Sequence, residues 1–121
     1  MQLSKTEEQL MQYLWKLDKA FMRDLLECYP EPKPATTTVA TLLKRMIGKG
    51  FIDYKTFGKS REYFPLVKKE DYFSKQFKGL IKNFFNDSAS QFASFFTRKT
   101  DLSKEELEAL KEIIDAEIKN K

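Results

Sequence analysis

Residues 36–67 decide the fold: TTTVATLLKRMIGKG, followed by FIDYKTFGKSREYFPLV. In the first half Val39, Leu42, Leu43, Met46 and Ile47 fall at offsets 0, 3, 4, 7 and 8, the repeat that lines one face of an α-helix with apolar side chains. Thr36, Thr37, Thr38, Thr41, Lys44 and Arg45 occupy the positions this stripe leaves unused. Gly48 and Gly50 predict a stop, because glycine takes the left-handed conformation at a helix end without steric cost. Beyond Gly50 the period changes: residues 51–57 and 61–67 are rich in aromatic and branched side chains, and Gly58-Lys59-Ser60 between them predicts a hairpin connection. Pro65 removes a backbone donor, which predicts that the second strand lies at a sheet edge. Two short strands are marginal alone and must pack on helices.

Upstream, Ser4-Lys5-Thr6-Glu7 reads as a capping box that opens a first helix carrying Leu10, Met11, Leu14 and Trp15 and running to about Leu17. Phe21, Met22, Leu25 and Leu26 predict a shorter second helix, which must stop before Pro30 because Glu31-Pro32-Lys33-Pro34 cannot continue one. Helical spacing puts Cys28 on the side of Leu25, predicting a buried, inert thiol. The order is helix, helix, striped helix and a hairpin with a basic tip. This is the order of a winged helix–turn–helix, whose third helix enters the DNA major groove while the hairpin tip touches the neighbouring backbone. The candidate DNA-binding residues are therefore Thr36, Thr37, Thr38, Thr41, Lys44 and Arg45 on the helix and Lys59 and Arg61 on the wing. Threonine hydroxyls can donate to phosphates or base edges, and a helix start adds free amides and positive dipole charge. Read without DNA, the three threonines are a helix start in which Thr serves as a cap, and Lys44, Lys49 and Lys55 are ordinary surface lysines.

Charge is compatible with both readings, a DNA-binding patch and a solvated lysine-rich face. The 121 residues hold 22 Lys+Arg against 18 Asp+Glu, yet residues 33–69 alone carry Lys33, Lys44, Arg45, Lys49, Lys55, Lys59, Arg61, Lys68 and Lys69 against Asp53 and Glu62, a net +7. The flanks carry −2 (residues 1–32) and −1 (residues 70–121). Polyanion binding responds to such local patches rather than to the total. With no histidine and only Cys28, the usual four-ligand metal sites and imidazole-based catalysis are excluded, so an enzyme, a cofactor and a metal are not expected. An intramolecular disulfide is excluded by count, which fits a reducing compartment. The N-terminus lacks a basic-then-apolar leader, and no uncharged run reaches the roughly 18 residues of a membrane span. The expectation is a soluble cytoplasmic protein with no membrane insertion.

Seven of the eleven Phe lie between residues 70 and 100, and this shift predicts two units, a winged-helix domain at 1–69 and a helical domain at 70–121. Phe73, Phe77, Leu80, Ile81, Phe84 and Phe85 form one stripe. Phe92, Phe95 and Phe96 mark a short helix over 88–97, and Ser103-Lys104-Glu105-Glu106 opens a last helix carrying Leu107, Leu110, Ile113, Ile114 and Ile118. So small a helical unit buries too little apolar surface to close a core alone, so Phe73–Phe85 with Leu107, Leu110 and Ile114 are candidate dimerisation residues. The fold class is mostly α with a small β-hairpin wing. A second reading keeps the winged helix but makes it a protein-interaction adaptor that does not read DNA.

The chain resembles the penicillinase-repressor family of bacterial transcription regulators over nearly its whole length. The resemblance is carried by Leu3-Ser4-Lys5-Thr6-Glu7-Glu8 with Leu14-Trp15, by Thr38 to Met46 leading into Lys49-Gly50-Phe51-Ile52, by Arg61 to Val67, and by Asp101 to Leu110. It implies a homodimer that binds a palindromic operator in double-stranded DNA, commonly of the TACA/TGTA type, through its N-terminal domains. It also implies repression of resistance genes and inactivation by proteolysis when a membrane sensor protease detects a β-lactam. Such members are cut at an Asn-Phe bond before the last helix. The matching place here reads Ser94-Phe95-Phe96, which marks these three residues as the candidate cleavage site and departs from the family pattern. A second departure is Ala40, where some relatives carry arginine. A copper-sensing branch uses a C-terminal cysteine cluster that Cys28 cannot supply.

Overall fold

Helix α1 (Lys5–Leu17) begins at the expected capping box: Ser4 Oγ accepts from the Glu7 amide at 3.2 Å, and Glu7 Oε1 accepts from the Ser4 amide at 2.8 Å. The structure is a computed structural model that describes residues 3–121, so the first two residues of the 1–69 unit lie outside the described residues. Helix α2 (Met22–Cys28) starts where the Phe21 amide donates to Asp24 Oδ2 at 2.9 Å. At its other end Lys33 Nζ donates to the Leu26, Glu27 and Tyr29 carbonyls, satisfying acceptors that a helix C-terminus leaves free. Cys28 is half-buried rather than buried, its Sγ donating to the Asp24 carbonyl at 3.4 Å.

Helix α3 (Thr36–Gly48) closes with a Schellman motif, the Phe51 amide donating to the Met46 carbonyl and the Gly50 amide to the Ile47 carbonyl, both at 3.0 Å. Gly50 takes the left-handed residue at φ 81°. Strand β1 (Ile52–Phe57) pairs antiparallel with β2 (Ser60–Pro65) in the register Ile52↔Pro65 to Phe57↔Ser60. The loop is thus Gly58-Lys59 alone, with Gly58 first at φ 62°, as the II′ hairpin turn requires. Ser60 belongs to the strand. The edge expectation for β2 holds, since β1 is its one strand neighbour among the described residues, and its outer side carries a single isolated bridge. Tyr63 exchanges two backbone hydrogen bonds with Ala20, at 2.8 and 2.9 Å, on its side away from β1. Pro65 is tolerated because its nitrogen faces that outer side too, one pair beyond the Ala20 bridge.

Leu10, Met11, Leu14, Leu25, Val39, Leu43, Met46 and Ile52 form the dry centre between α1, α2, α3 and the hairpin, each contributing about 1.5–3 kcal/mol by burial. Helix α4 (Lys69–Phe84) adds its first turn to this core. Tyr72 is buried with its hydroxyl donating to Glu8 Oε2 at 2.7 Å, its ring lies 5.7 Å from Phe51, and Trp15 Nε1 donates to the Val67 carbonyl at 2.8 Å. Phe73 sits 5.8 Å from Trp15 and 5.3 Å from Tyr72. The division into two compact units accordingly falls between Phe73 and Ser74, inside α4, and Phe73 packs on the first unit's core instead of joining an unpartnered stripe.

Within the second unit the rest of α4 is followed by α5 (Ala89–Lys99), capped by Ser88, and α6 (Lys104–Lys119), opened by the Ser103/Glu106 capping box. Phe92 contacts Phe77, Phe85 and Phe96, and Phe85 contacts Phe95, with ring centroids 5.1–5.9 Å apart. None of residues 74–121 is buried. No helix among the described residues is long and apolar enough to cross a membrane.

One carboxylate ties α1 to the end of α3. Glu7 is 1% exposed and accepts a 2.7 Å ion-paired bond from Lys49 Nζ. Burial alone would raise its pKa; hydrogen bonds from Lys49 and from Ser4 outweigh it and hold the carboxyl below its ordinary 4.5. A carboxylate with a depressed folded-state pKa contributes stability that is complete above the unfolded value and is lost as pH falls through the folded one. The thermal midpoint is therefore expected to drop as pH falls below 4.5. Glu7→Gln should lower the midpoint at neutral pH and flatten that acid limb in calorimetry across pH 3–7. A variant whose acid limb matches the parent's would show that Glu7 has no part in it.

Candidate nucleic-acid interface

The buried stripe of α3 fixes what its other face presents. Thr37, Thr41 and Lys44, at i, i+4 and i+7, run along the side opposite Val39, Leu43 and Met46, with Thr38 and Arg45 on one flank and Thr36 on the other; all are exposed. The helix thus presents four hydroxyls and two cations away from the core. Thr41 Oγ1 donates to the Thr37 carbonyl at 2.9 Å, so in this rotamer its hydroxyl is left to a ligand as an acceptor.

The start of α3 is unlike the starts of α1, α5 and α6, each capped by a serine hydroxyl. Its N-cap is Ala35, which has no side-chain acceptor. The three threonines form the first turn and none of them caps the helix, so capping does not explain them. Thr38 and Val39 amides both turn to the Ala35 carbonyl. The Thr36 and Thr37 amides have no acceptor among the described residues. An Ala cap costs about 1 kcal/mol against Ser or Asp. Free amides at a helix start are, in return, an anion site reinforced by the helix dipole.

The wing stands beside this helix start. Lys59 is exposed at the hairpin tip, and the Arg61 guanidinium lies 4.4 Å over the Tyr54 ring, which orients it without neutralising it. Phe57 of β1 meets the edge of Phe21, centroids 6.2 Å apart, and holds the wing against the entrance to α2. Between them runs an open groove of about 540 Å³ whose polar walls are Arg23, Thr36, Lys59, Ser60 and Arg61. Thr36, Lys59 and Arg61 are thereby brought together, whereas Thr37, Thr38, Thr41, Lys44 and Arg45 lie along the helix outside the groove.

Segment charge does not point to Arg23, which also lines the groove. Arg23 sits in the acidic-leaning first third, where a count by segment hides it, although its place off the Met22/Leu25/Leu26 stripe was a usable signal. Two cations of the +7 segment are engaged within the fold, Lys33 on the α2 carbonyls and Lys49 on Glu7.

The candidate dimerisation residues other than Phe73 lie in the second unit. Phe77, Leu80, Phe84, Leu107 and Ile114 are exposed, and Ile81, Phe85 and Leu110 are half-buried. Phe84 keeps 75% of its surface in solvent and Ile118 keeps 66%. Ser94, Phe95 and Phe96 lie inside α5.

A sequence model of the penicillinase repressor family matches residues 3–116. The chain is 30% identical over 115 residues to the methicillin resistance regulatory protein MecI of Staphylococcus aureus (strain N315), covering 94% of each. It is 25% identical over 115 residues to the penicillinase repressor of Bacillus licheniformis, covering 94% of this chain and 90% of that one. In three dimensions it is similar to the solution structure of the DNA binding domain of the repressor BlaI. The TM-score is 0.52 at 25% identity, over 59% of this chain and 88% of that chain.

Proposed function

The chain belongs to the penicillinase repressor family of DNA-binding repressors, and from that premise we propose that it acts as a homodimer on a palindromic operator and represses a resistance operon. Each protomer lays the Thr37/Thr41/Lys44 face of α3 into the major groove, with Arg45 at its flank and Lys59 and Arg61 on the adjoining backbone. The observation that carries this reading is the start of α3: a helix whose first amides are free, ringed by exposed threonines and standing beside a basic wing. An adaptor that grips an acidic or phosphorylated protein segment could use the same features, and the salt titration on DNA below separates the two readings.

The exposed apolar side chains of α4 and α6 supply the second half of the reading, because a partner copy would cover them and place two reading heads on one duplex. Control is by proteolysis at Ser94-Phe95-Phe96 under a membrane sensor protease. Such a cut would detach α6, with Leu107, Leu110 and Ile114, from the rest of the chain.

The test is a salt titration by fluorescence anisotropy on the duplex upstream of its own gene. With on the order of ten phosphate contacts in the dimer, log K should fall with log salt at about −0.9 per contact, losing several decades between ~50 and ~200 mM. Lys44→Ala and Arg45→Ala should each weaken binding, by about 1–3 kcal/mol for a residue bidentate to a base and uniformly across sequences for one touching phosphate. A flat salt response, or two variants as tight as the parent, would overturn the reading.

A further inference from the structure

The groove between α2, the start of α3 and the wing gathers three cations, Arg23, Lys59 and Arg61, and no acidic side chain lines it. Among the described residues none of the three has a carboxylate partner. Asp24, next to Arg23, is turned to the Phe21 amide, and Arg61 is held by the Tyr54 ring. Like charges around one concavity repel each other weakly across water, and an anion that enters it meets a positive potential from all three. The wing is also held to the α2 side, by the two Ala20–Tyr63 hydrogen bonds and the Phe21–Phe57 contact, so Arg23 and the wing cations stand on the walls of one preformed groove. Thr36 lines it too, which puts the groove at the open N-terminal end of α3.

We propose that Arg23 of α2, with Lys59 and Arg61 of the wing, clamps one phosphodiester strand of duplex DNA beside the start of α3. Arg23 thereby adds a sequence-independent contact from an element outside the reading helix and the wing. The proposal rests on the DNA-binding reading above. It extends that reading in one respect: the partner strand is gripped from two sides of the groove, so affinity depends on Arg23 and sequence preference does not.

The experiment uses the full chain as parent, Arg23→Gln, Arg23→Lys and, as a distant control, Lys119→Gln. Each is titrated against the duplex upstream of its own gene and against a scrambled duplex of equal length. Arg23 is exposed, and equal thermal midpoints will show that the variants fold alike. Arg23→Gln should weaken both duplexes by the same factor, roughly tenfold at ~100 mM salt, and reduce the salt slope by about 0.9 for each half-site. Arg23→Lys should keep the slope, and Lys119→Gln should match the parent. A parent that binds with a steep slope beside an Arg23→Gln variant of equal slope and affinity would overturn the clamp and leave the DNA reading standing. A change in the ratio between the two duplexes at an unchanged slope would also overturn it, since Arg23 would then read bases. A flat parent would remove both.

Discussion

A chain ending after Phe73 is expected to sediment as a monomer and to bind a full palindromic duplex about 10²–10⁴-fold more weakly than the intact chain. The cut is placed there because the first unit is complete at that point. Tyr72 still reaches Glu8, Trp15 still donates to Val67, and Phe73 still packs against Trp15 and Tyr72. A cut at Val67 would remove the aromatic lid of the core and mix loss of stability with loss of association. What the fragment lacks is the second unit, in which no residue is buried and Phe84, Ile114 and Ile118 keep more than half their surface exposed. Two linked heads make the second half-site encounter intramolecular, at an effective concentration set by the linkage, and a monomer forfeits that factor without losing a single DNA contact. Its affinity for one half-site should therefore equal that of a single head in the parent. In the intact chain, Ile114→Asp should weaken the dimer in the same sedimentation assay by placing a charge in the apolar stripe. A fragment that dimerises as the full chain does would put the interface in the first unit instead.

The features legible in the sequence are those written in local spacing. The α3 stripe, the capping boxes at Ser4 and Ser103, the stop at Gly50 and the hairpin around Gly58 each depend on residues within about a dozen positions of one another, so periodicity and turn chemistry report them directly. What escaped is long-range. Ala20 shows no strand pattern because one bridged residue has no period, yet it pins the wing through Tyr63. Glu7 reads as a capping carboxylate and is that, but its ion pair with Lys49, 42 residues away, cannot be seen from either end. The same pairing offsets one of the charges that a count by segment offers to DNA, whereas Lys33 keeps its charge but is tied to the α2 carbonyls. Phe73 belongs by spacing to the stripe running to Phe85, and only the position of Trp15 assigns it to the first unit. Arg23 illustrates the same point for the candidate site, since a groove is built from elements that are neighbours in space only.

The missing cap of α3 leads to the second large effect, in which stability and affinity move in opposite directions. Ala35→Asp places a carboxylate at the N-cap, from which it can accept the free Thr37 amide, and it complements the positive end of the helix dipole. The gain should be about 0.5–2 kcal/mol, seen as a higher thermal midpoint. The same carboxylate occupies an amide that a phosphate would use and sets a negative charge against the backbone of the duplex. Losing a charge-assisted hydrogen bond costs about 1.5–3 kcal/mol, and a two-fold dimer loses one at each half-site. Operator affinity should thus fall by roughly three decades while the protein becomes harder to unfold. Ala35→Ser separates the two causes, since its hydroxyl can cap the helix without adding charge, so it should stabilise nearly as well and weaken DNA far less. Thermal melts and anisotropy on the same three proteins decide the matter. If Ala35→Asp binds DNA as tightly as the parent, no phosphate sits at the start of α3, and the uncapped helix end would have to be explained by something other than a ligand.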